Sequence, residues 1–282
     1  MKWDINKMHQ ISLGAGLHSK VEPVSIYLAE QALDNGNTII PNKDLDLTKA
    51  THMVLGYNWN FAKNFRLKAE VYYQYLYDVP VKPGDTTNVI NVLNFSSGFT
   101  NEKLVNKGTG RNYGAELTLQ KFFSNNWYLL VTASLFESKY TMTDNIERDT
   151  RFNSKYIGNF VGGKEFLVGK NKQNIIGTNI RTIWRGGYRT IPLNVDESNE
   201  QNKDVRMYDK AFEDKAPDYF RIDVGISYRI NKPRWAWVLS LDIQNVTNRS
   251  NVWDQYYSPE TKKIEQSYLV GLVPILNYRI EF

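Results

Sequence analysis

Histidine and cysteine, which often supply nucleophiles, proton carriers and metal ligands, are scarce in this chain. Cysteine is absent, and the three histidines, His9, His18 and His52, all lie in the first quarter of the sequence. A hydrolase triad or a metal site requires a histidine beside a nucleophile or a carboxylate cluster, and none of the three has an evident partner. We therefore predict structural positions for them in or beside strands, and we expect no catalytic residue, metal or cofactor.

Signatures for phosphate and nucleic-acid binding are also weak. Gly108, Gly110 and Gly114 form a glycine-rich stretch, but their spacing is not GxGxxG and a strand pattern follows instead of a helix. A bend where a loop enters a strand is the favoured interpretation. The net charge is +5 and charges of both signs are interspersed, whereas nucleic-acid binding would require a basic stripe. We expect no nucleic-acid partner.

Alternation of apolar and polar residues is the strongest pattern in the chain. Every second residue from Phe220 to Ile230 is apolar, while Arg221, Asp223 and the other intervening residues are polar, charged or glycine. This period of two is typical of a strand with one apolar face. It recurs in successive segments joined by short turns that contain Asn, Gly or Pro, as hairpins do.

Ten strands follow from this pattern, and short turns alternate with long polar loops between them. The predicted strands are 8–20, 48–61, 64–81, 110–122, 126–140, 154–168, 172–188, 217–230, 234–257 and 266–282. Transmembrane barrels show this asymmetry, with tight periplasmic turns and long extracellular loops. The sequence therefore predicts an all-β fold, an antiparallel transmembrane β-barrel segment of about ten strands. A mean hydropathy of −0.50 is no objection, because a barrel strand is apolar only at alternate positions.

The two predicted strand faces and the strand ends carry different residues. Charged inward residues could line a transport path, but mutual pairing is the favoured interpretation for each; they are Arg66, Lys68, Glu70, Glu116, Arg181, Arg221, Asp223, Asp242, Arg279 and Glu281. Aromatic residues beside the short turns predict an interfacial girdle; they are Trp59, Phe61, Phe65, Phe122, Phe123, Trp127, Trp235 and Phe282.

Two further groups of residues are candidates for function. The last strand ends in outward Tyr278, Ile280 and Phe282, and a terminal aromatic on an alternating strand is typical of a strand that closes a barrel, since lipid cannot satisfy an open edge. We predict that these three form the barrel-closing signal read by the barrel-assembly machinery. The loop aromatics Trp253, Tyr256 and Tyr257 are candidate substrate-binding residues.

Several segments together resemble a known family. They are ISLGAGLHS at 11–19 with Glu22-Pro23, KAEVYYQYLYDVPV at 68–81, GTGRNYGAELTLQK at 108–121, NWYLLVTASLFESKY at 126–140, GGKE at 162–165, DYFRID at 218–223, LDIQNVTN at 241–248 and PILNYRIEF at 274–282. In their order and spacing they resemble TonB-dependent outer-membrane receptors of the Bacteroidetes type, the SusC/RagA-like transporters.

The resemblance implies a location, a function and partners. It implies that residues 1–282 are the C-terminal part of a receptor barrel in the outer membrane of a Gram-negative bacterium, without the plug domain, the TonB box or the N-terminal strands. The implied function is non-catalytic, TonB-dependent uptake of a nutrient. The implied partners are outer-membrane lipid, the TonB complex through the plug and, as a further candidate, a surface lipoprotein.

Two alternatives from other classes and several substrates stay open. An outer-membrane barrel enzyme of lipase or protease type would require a positioned base, and a soluble β-rich binding domain would require outward faces of mixed polarity. The segment from Phe220 to Ile230 disfavours the second alternative. Siderophore, glycan, peptide and cobalamin remain open as the nutrient, as does the oligomeric state.

Overall fold

The computed structural model describes residues 1–87, 89–95 and 99–282. Ten long strands dominate it: β1 (His9–Lys20), β2 (Thr48–Ala62), β3 (Phe65–Val81), β4 (Val105–Ser124), β5 (Trp127–Thr141), β6 (Tyr156–Val168), β7 (Asn174–Arg185), β8 (Tyr219–Asn231), β9 (Ala236–Gln244) and β10 (Val273–Glu281). The shorter elements are the strands Lys2–Asp4, Gln31–Ala32, Thr38–Ile39, Glu147–Asp149, Arg189–Thr190, Asp214–Lys215, Val252–Ser258 and Lys263–Tyr268, the helices α1 (Val24–Tyr27) and α2 (Val195–Gln201), and a 3₁₀ turn at Tyr208–Lys210.

The ten strands form one antiparallel sheet in chain order, from β1 to β10. Lys2–Asp4 adds a short strand to the outer side of β1, and Glu147–Asp149 pairs with β5. Within the described residues, β1 and β10 do not pair with each other, so the sheet has two edges. The predicted all-β, antiparallel class with about ten strands is confirmed.

Short turns and long loops lie at opposite ends of the strands, as predicted. One of these ends, here called the short-turn edge, carries the connections 63–64, 125–126, 169–173 and 232–235. Asn64, Asn125 and Asn126 have φ of 67°, 52° and 64°, a left-handed conformation that Asn tolerates better than most residues. The other edge, the long-loop edge, carries 21–47, 82–104, 142–155, 186–218 and 245–272. Residues 88 and 96–98 of the connection 82–104 lie outside the described part.

One predicted strand, 234–257, is two strands in the structure. β9 ends at Gln244 because Asn245 takes a φ of 50°. Its side chain accepts from the Arg249 amide at 3.2 Å and donates to the Arg249 carbonyl at 3.0 Å, which closes a turn. The chain then forms Val252–Ser258, which pairs with Lys263–Tyr268 as a separate hairpin. For the same reason the last long strand begins at Val273 and not at 266.

The strand register separates an apolar face from a charged face. On the apolar face Leu13 pairs with Leu55 and Leu55 with Val71, and a second row runs from Ile226 through Leu241 to Leu276. Members of these rows are well exposed, Leu276 at 71% and Ile226 at 51%. On the charged face Arg181 pairs with Asp223, and Asn58 with Lys68.

Buried side chains concentrate at the long-loop edge, in the strand ends and the loops there, and not along the middle of the sheet. The main cluster comprises Val79, Val81, Tyr140, Met142, Ala211 and Phe212. Among the described residues, no helix has the length and apolar character needed to cross a membrane.

Candidate functional site

The long loops pack against one another and form a folded layer at the long-loop edge. The ends of β3 and β5 contribute Val81 and Tyr140, and the loop 186–218 contributes Phe212, whose ring centroid lies 6.2 Å from that of Tyr140 in an edge-to-face contact. Val92 and Leu93 of the loop 82–104 pack on the same cluster. Met142 of the loop 142–155 completes the cluster, so burial of these apolar side chains holds three loops in fixed positions.

A hydrogen-bonded turn at Asp85 shapes the loop 82–104. The carboxylate accepts from the Thr87 hydroxyl at 2.6 Å and from the amides of Thr87, Val89 and Ile90 at 3.0 to 3.1 Å. Burial opposes ionisation, but these four donors outweigh it and lower the pKa of Asp85. The ionised carboxylate therefore orders the start of this loop.

Asp149 is the centre of an ion-pair network that joins the ends of β5 and β6 to the loop 186–218. Its carboxylate pairs with Lys139, lies 3.1 Å from Arg189 and accepts a hydrogen bond from the side-chain amide of Asn153 at 2.6 Å. Lys155 also lies within 3.8 Å. Burial raises the pKa of Asp149, but the hydrogen bonds from Lys139 and Asn153 and the charge of Arg189 lower it below its ordinary value.

The hairpin formed by Val252–Ser258 and Lys263–Tyr268, here called the rim hairpin, is fixed to the loop 186–218. The Tyr188 hydroxyl donates to the Trp253 carbonyl at 2.6 Å, and the Arg206 guanidinium donates to the Gln255 carbonyl at 3.0 Å. The Tyr257 amide donates to Asp204 at 2.6 Å. Contacts from three separate residues of one loop therefore set the position of the hairpin.

The three candidate substrate-binding aromatics occupy different environments on the rim hairpin. Trp253 is 65% exposed and Tyr256 is 40% exposed, and the Tyr256 hydroxyl donates to Glu265 at 3.3 Å. Tyr257 is only 3% exposed, and its hydroxyl donates to Asn199 at 2.8 Å. The geometry thus leaves two rings accessible, while Tyr257 anchors the hairpin from beneath.

Most charged residues predicted to face inward lie in pairs or networks on the charged face. Lys68 lies 2.5 Å from Glu70, Arg221 2.5 Å from Asp223, and Arg279 2.9 Å from Glu281. The Arg221–Asp223 pair also accepts from the Asn245 amide at 2.9 Å, through Asp223. Such pairing matches the favoured interpretation of the sequence, since paired charges satisfy one another in a water-accessible interior.

Aromatic side chains form a continuous row at the short-turn edge. Ring centroids of Trp59 and Phe61 lie 5.3 Å apart, those of Phe61 and Phe65 5.5 Å, and those of Phe65 and Trp127 6.2 Å. This row has the composition and place of an interfacial girdle. Phe122 is an exception, because it lies on the charged face with its ring 5.5 Å from the Arg66 guanidinium carbon.

Lys121 lies on the apolar face and is nevertheless almost fully buried. Its ammonium donates to the carbonyls of Ser124 and Trp127, both at 2.8 Å, and lies 3.9 Å from the centroid of the Trp127 ring. The turn carbonyls and the ring replace water around the charge. Sequence alternation alone gave no signal for this residue, because its position lies at the end of an apolar face.

Two residues of the predicted barrel-closing signal, Tyr278 and Ile280, lie on the apolar face of β10. Tyr278 pairs with Leu239 and Ile280 with Trp237, and the ring of Tyr278 lies 6.1 Å from that of Trp237. Phe282 follows the strand and is fully exposed. The other side of β10 has no strand partner among the described residues.

The histidines lie at the two ends of the first hairpin. His9 is at the short-turn edge, where its Nδ1 lies 2.6 Å from the Tyr57 hydroxyl and its ring stacks on Trp59. His18 and His52 lie on the charged face toward the long-loop edge. Within residues 1–87, 89–95 and 99–282, no three His, Asp or Glu side chains form a group that could hold a metal ion.

Together, the apolar face, the charged face, the girdle and the folded loop layer define a wall of a transmembrane-type β-barrel. The chain belongs to the family of TonB dependent receptor-like β-barrels, whose model matches residues 20–246. No curated protein matches the chain at a significant level.

Solved structures with a similar fold include an outer membrane transporter and two receptors for ferric ligands. The outer membrane transporter YddB from Escherichia coli is 14% identical, with a TM-score of 0.65 over 99% of this chain and 39% of that one. BauA, the ferric preacinetobactin receptor from Acinetobacter baumannii, is 12% identical, with a TM-score of 0.63 over 100% of this chain and 35% of that one. FyuA, the ferric yersiniabactin uptake receptor from Yersinia pestis, is 13% identical, with a TM-score of 0.61 over 100% and 36%. The chain thus spans little more than a third of these receptors' length.

Proposed function

We propose that this chain forms part of the wall of an outer-membrane receptor that imports a nutrient by TonB-dependent transport. The apolar face carries the proposal, because it crosses the whole sheet and exposes side chains such as Leu13, Leu55 and Leu276. An apolar surface of this extent is unstable in water and matches the hydrocarbon region of a membrane. Lipid then covers the apolar face, and the charged face lines the interior.

The orientation of the sheet in the membrane follows from its short-turn edge and its long-loop edge. Short turns lie in the periplasm and long loops outside the cell in barrels of this type. The folded loop layer, with Trp253 and Tyr256 on its surface, then faces the medium. Membership of a receptor family favours this function over an outer-membrane lipase or protease and over a soluble β-rich binding domain.

Within such a receptor, residues 1–282 form the C-terminal part of the barrel, and the plug and the remaining strands belong to other parts of the assembly. Support comes from the two edges at β1 and β10 and from the share of each receptor that the chain spans. Large barrels of this class enclose a plugged lumen, so ten strands account for part of a wall. TonB acts through the plug.

The finer assignment rests on the sequence segments that resemble SusC/RagA-like receptors of Bacteroidetes. We assign the chain to that type, in a Gram-negative outer membrane, with a surface lipoprotein as a further partner. Tyr278, Ile280 and Phe282 on the apolar face of β10 are the signal for the barrel-assembly machinery, because they present a regular aromatic and aliphatic row at a strand with one unpaired side.

The substrate-contacting surface is the exposed side of the rim hairpin. Trp253 and Tyr256 contact the nutrient with their rings, and Tyr257 holds the hairpin in place through Asn199. Two aligned structures are receptors for ferric preacinetobactin and ferric yersiniabactin, so ferric siderophores are the first class to test. Glycans, peptides and cobalamin follow.

A transport assay in cells tests the proposal. Cells that produce the complete receptor are given labelled ferric siderophores, glycans, peptides and cobalamin, with and without a functional TonB gene. We expect uptake of one class only when TonB is present, and a large fall in binding for Trp253→Ala and Tyr256→Ala. Trp235→Ala, an exposed aromatic at the opposite edge, is the matched control. TonB-independent passage, or equal losses in all three variants, would contradict the proposal.

A further inference from the structure

The side chains of His18 and His52 converge on one point of the charged face. Their ring centroids lie 4.1 Å apart with the planes tilted by 42°. The residues are a diagonal pair, because Gly16 is the strand partner of His52 and Ala50 that of His18. Two imidazoles from adjacent strands thus lie side by side above Gly16.

Glycine at position 16 is what allows this arrangement. A Cβ at that position would lie 2.6 Å from Nε2 of His18 and 3.3 Å from Nε2 of His52. Both Nε2 atoms therefore lie within 3.3 Å of the same point, in space that any other residue would fill. Gly14, two residues earlier on the same face, shows no such crowding, because the nearest atom to its Cβ position is the Val54 carbonyl oxygen at 4.0 Å.

We propose that His18 and His52 form a two-histidine chelate for a divalent transition cation, with Cu²⁺ as the best-suited ion. Imidazole nitrogens are good ligands for Cu²⁺, Ni²⁺ and Zn²⁺, and Cu²⁺ binds most tightly to a given site of this kind. In zinc sites the metal lies about 2.0–2.1 Å from each imidazole nitrogen that binds it. Because both Nε2 atoms already lie within 3.3 Å of one point, rotation of the two rings toward each other brings both nitrogens to bonding distance of one ion. Water or an incoming chelator fills the remaining positions.

The surroundings of the pair leave it accessible to a hydrated cation. His18 is exposed and His52 half-buried, and the strand partner of His52 on β3, Gln74, accepts a hydrogen bond from Asn112 at 2.8 Å. The third histidine is unsuited to this role, because its Nδ1 contacts the Tyr57 hydroxyl and its ring stacks between aromatic side chains at the other edge. The pair also lies near the long-loop edge, where a solute that passes the loop layer first meets the wall.

Copper binding to the complete receptor, isolated from outer membranes in detergent without a histidine tag, tests the site. Calorimetry gives the affinity, and electron paramagnetic resonance counts the nitrogens bound to Cu²⁺. We expect one strong site with two nitrogens. His18→Ala and His52→Ala each leave one nitrogen and weaken binding at least ~10-fold, since loss of even an outer-shell partner typically weakens metal sites 10- to 100-fold.

Glycine variants separate this site from adventitious binding by scattered histidines. Gly16→Ala keeps both imidazoles but places a methyl group between them, so we expect loss of the two-nitrogen signal. Gly14→Ala and His9→Ala serve as controls and retain it. Heat-modifiable electrophoresis checks that each variant is folded, and if His52→Ala fails this check, His18→Ala and Gly16→Ala decide the result. Unchanged two-nitrogen binding in His18→Ala or Gly16→Ala, or an equal loss in His9→Ala, would overturn the proposal whether or not the receptor transports a nutrient.

Discussion

Arginine placed at neighbouring positions of β8 gives a direct test of which face meets lipid. Ile226 lies on the apolar face, paired with Leu241 on one side and Thr178 on the other, and is 51% exposed. Ser227, the next residue, faces the opposite side and pairs with Ser240. Ile226→Arg therefore adds a cation to the lipid surface, whereas Ser227→Arg adds it to a polar interior.

The expected difference in the free energy of unfolding is large, because the side chain at position 226 faces lipid and the side chain at position 227 faces water. Arginine on the lipid face near the middle of the membrane costs about 2–4 kcal/mol in the free energy of unfolding. That cost corresponds to roughly a 30- to 700-fold change in the ratio of folded to unfolded protein. Ser227→Arg should cost far less, since its guanidinium remains hydrated among the charged residues of the interior.

Unfolding by urea in lipid vesicles measures both variants in the complete receptor, with heat-modifiable electrophoresis as the readout of the folded barrel. Leu241→Arg and Ser240→Arg on β9 repeat the comparison across the same row. Equal free energies of unfolding for the two members of each pair would refute the assignment of the faces, and greater damage from the serine replacements would reverse it.

Three other changes test the wall and the loop layer. Lys121→Met removes a charged donor from the Ser124 and Trp127 carbonyls, so we expect a loss of about 1.5–3 kcal/mol in the free energy of unfolding. No loss would show that these hydrogen bonds do not stabilise the turn. Tyr257→Phe removes the hydrogen bond to Asn199 and should speed hydrogen exchange in residues 252–268, whereas unchanged exchange would show that the bond does not anchor the hairpin. Because the pKa of Asp149 is lowered in the folded protein, its contribution to stability is complete above the ordinary pKa of 3.8 and is lost as pH falls through the lower folded pKa. In the wild type, hydrogen exchange of residues 142–155, corrected for intrinsic rates, should therefore rise below about pH 4. In Asp149→Asn this exchange should already be raised at neutral pH.

The existence of the ten strands could be predicted because the membrane and the interior impose opposite demands on successive residues. From Phe220 to Ile230 both demands act over the whole strand, and the predicted and observed ranges nearly coincide. The prediction is less accurate where strands extend beyond that region. β4 begins at Val105, before the predicted start at 110. Val105 pairs with Val81 beyond the segment in which apolar and polar residues alternate regularly.

Glycines at that end of β4 had a different role from the one predicted. A bend was expected at Gly108 and Gly110, but both lie within the strand. A Cβ at Gly108 would lie 2.3 Å from Cγ1 of Val81, and one at Gly110 would lie 2.8 Å from a methyl carbon of Leu93. These glycines therefore allow Val81, at the end of β3, and Leu93, in the loop 82–104, to pack directly on the strand backbone. A single sequence does not reveal which distant side chain approaches.

The exposure of the candidate site residues depends even more on contacts between segments that are distant in the sequence. Trp253, Tyr256 and Tyr257 share a composition and a short stretch of sequence, which is why they were predicted as one group. Their environments differ because, of the three, only Tyr257 donates hydrogen bonds to Asn199 and Asp204, which lie more than fifty residues earlier. Local pattern predicts where aromatic side chains occur, but the packing of loops decides which of them are exposed.

This division has a consequence for ligand recognition. Arg206, Tyr188 and Asp204 of the loop 186–218 hydrogen-bond to the backbone of the rim hairpin, so the exposed rings of Trp253 and Tyr256 are attached to an ordered support. Ordering a flexible loop on binding costs free energy that a preordered surface does not lose. Under the proposed function, such a surface increases the affinity for a nutrient even when only two rings touch it. Under the proposed function we therefore expect loss of the Tyr257 anchor to weaken nutrient binding, as loss of the Trp253 or Tyr256 ring would.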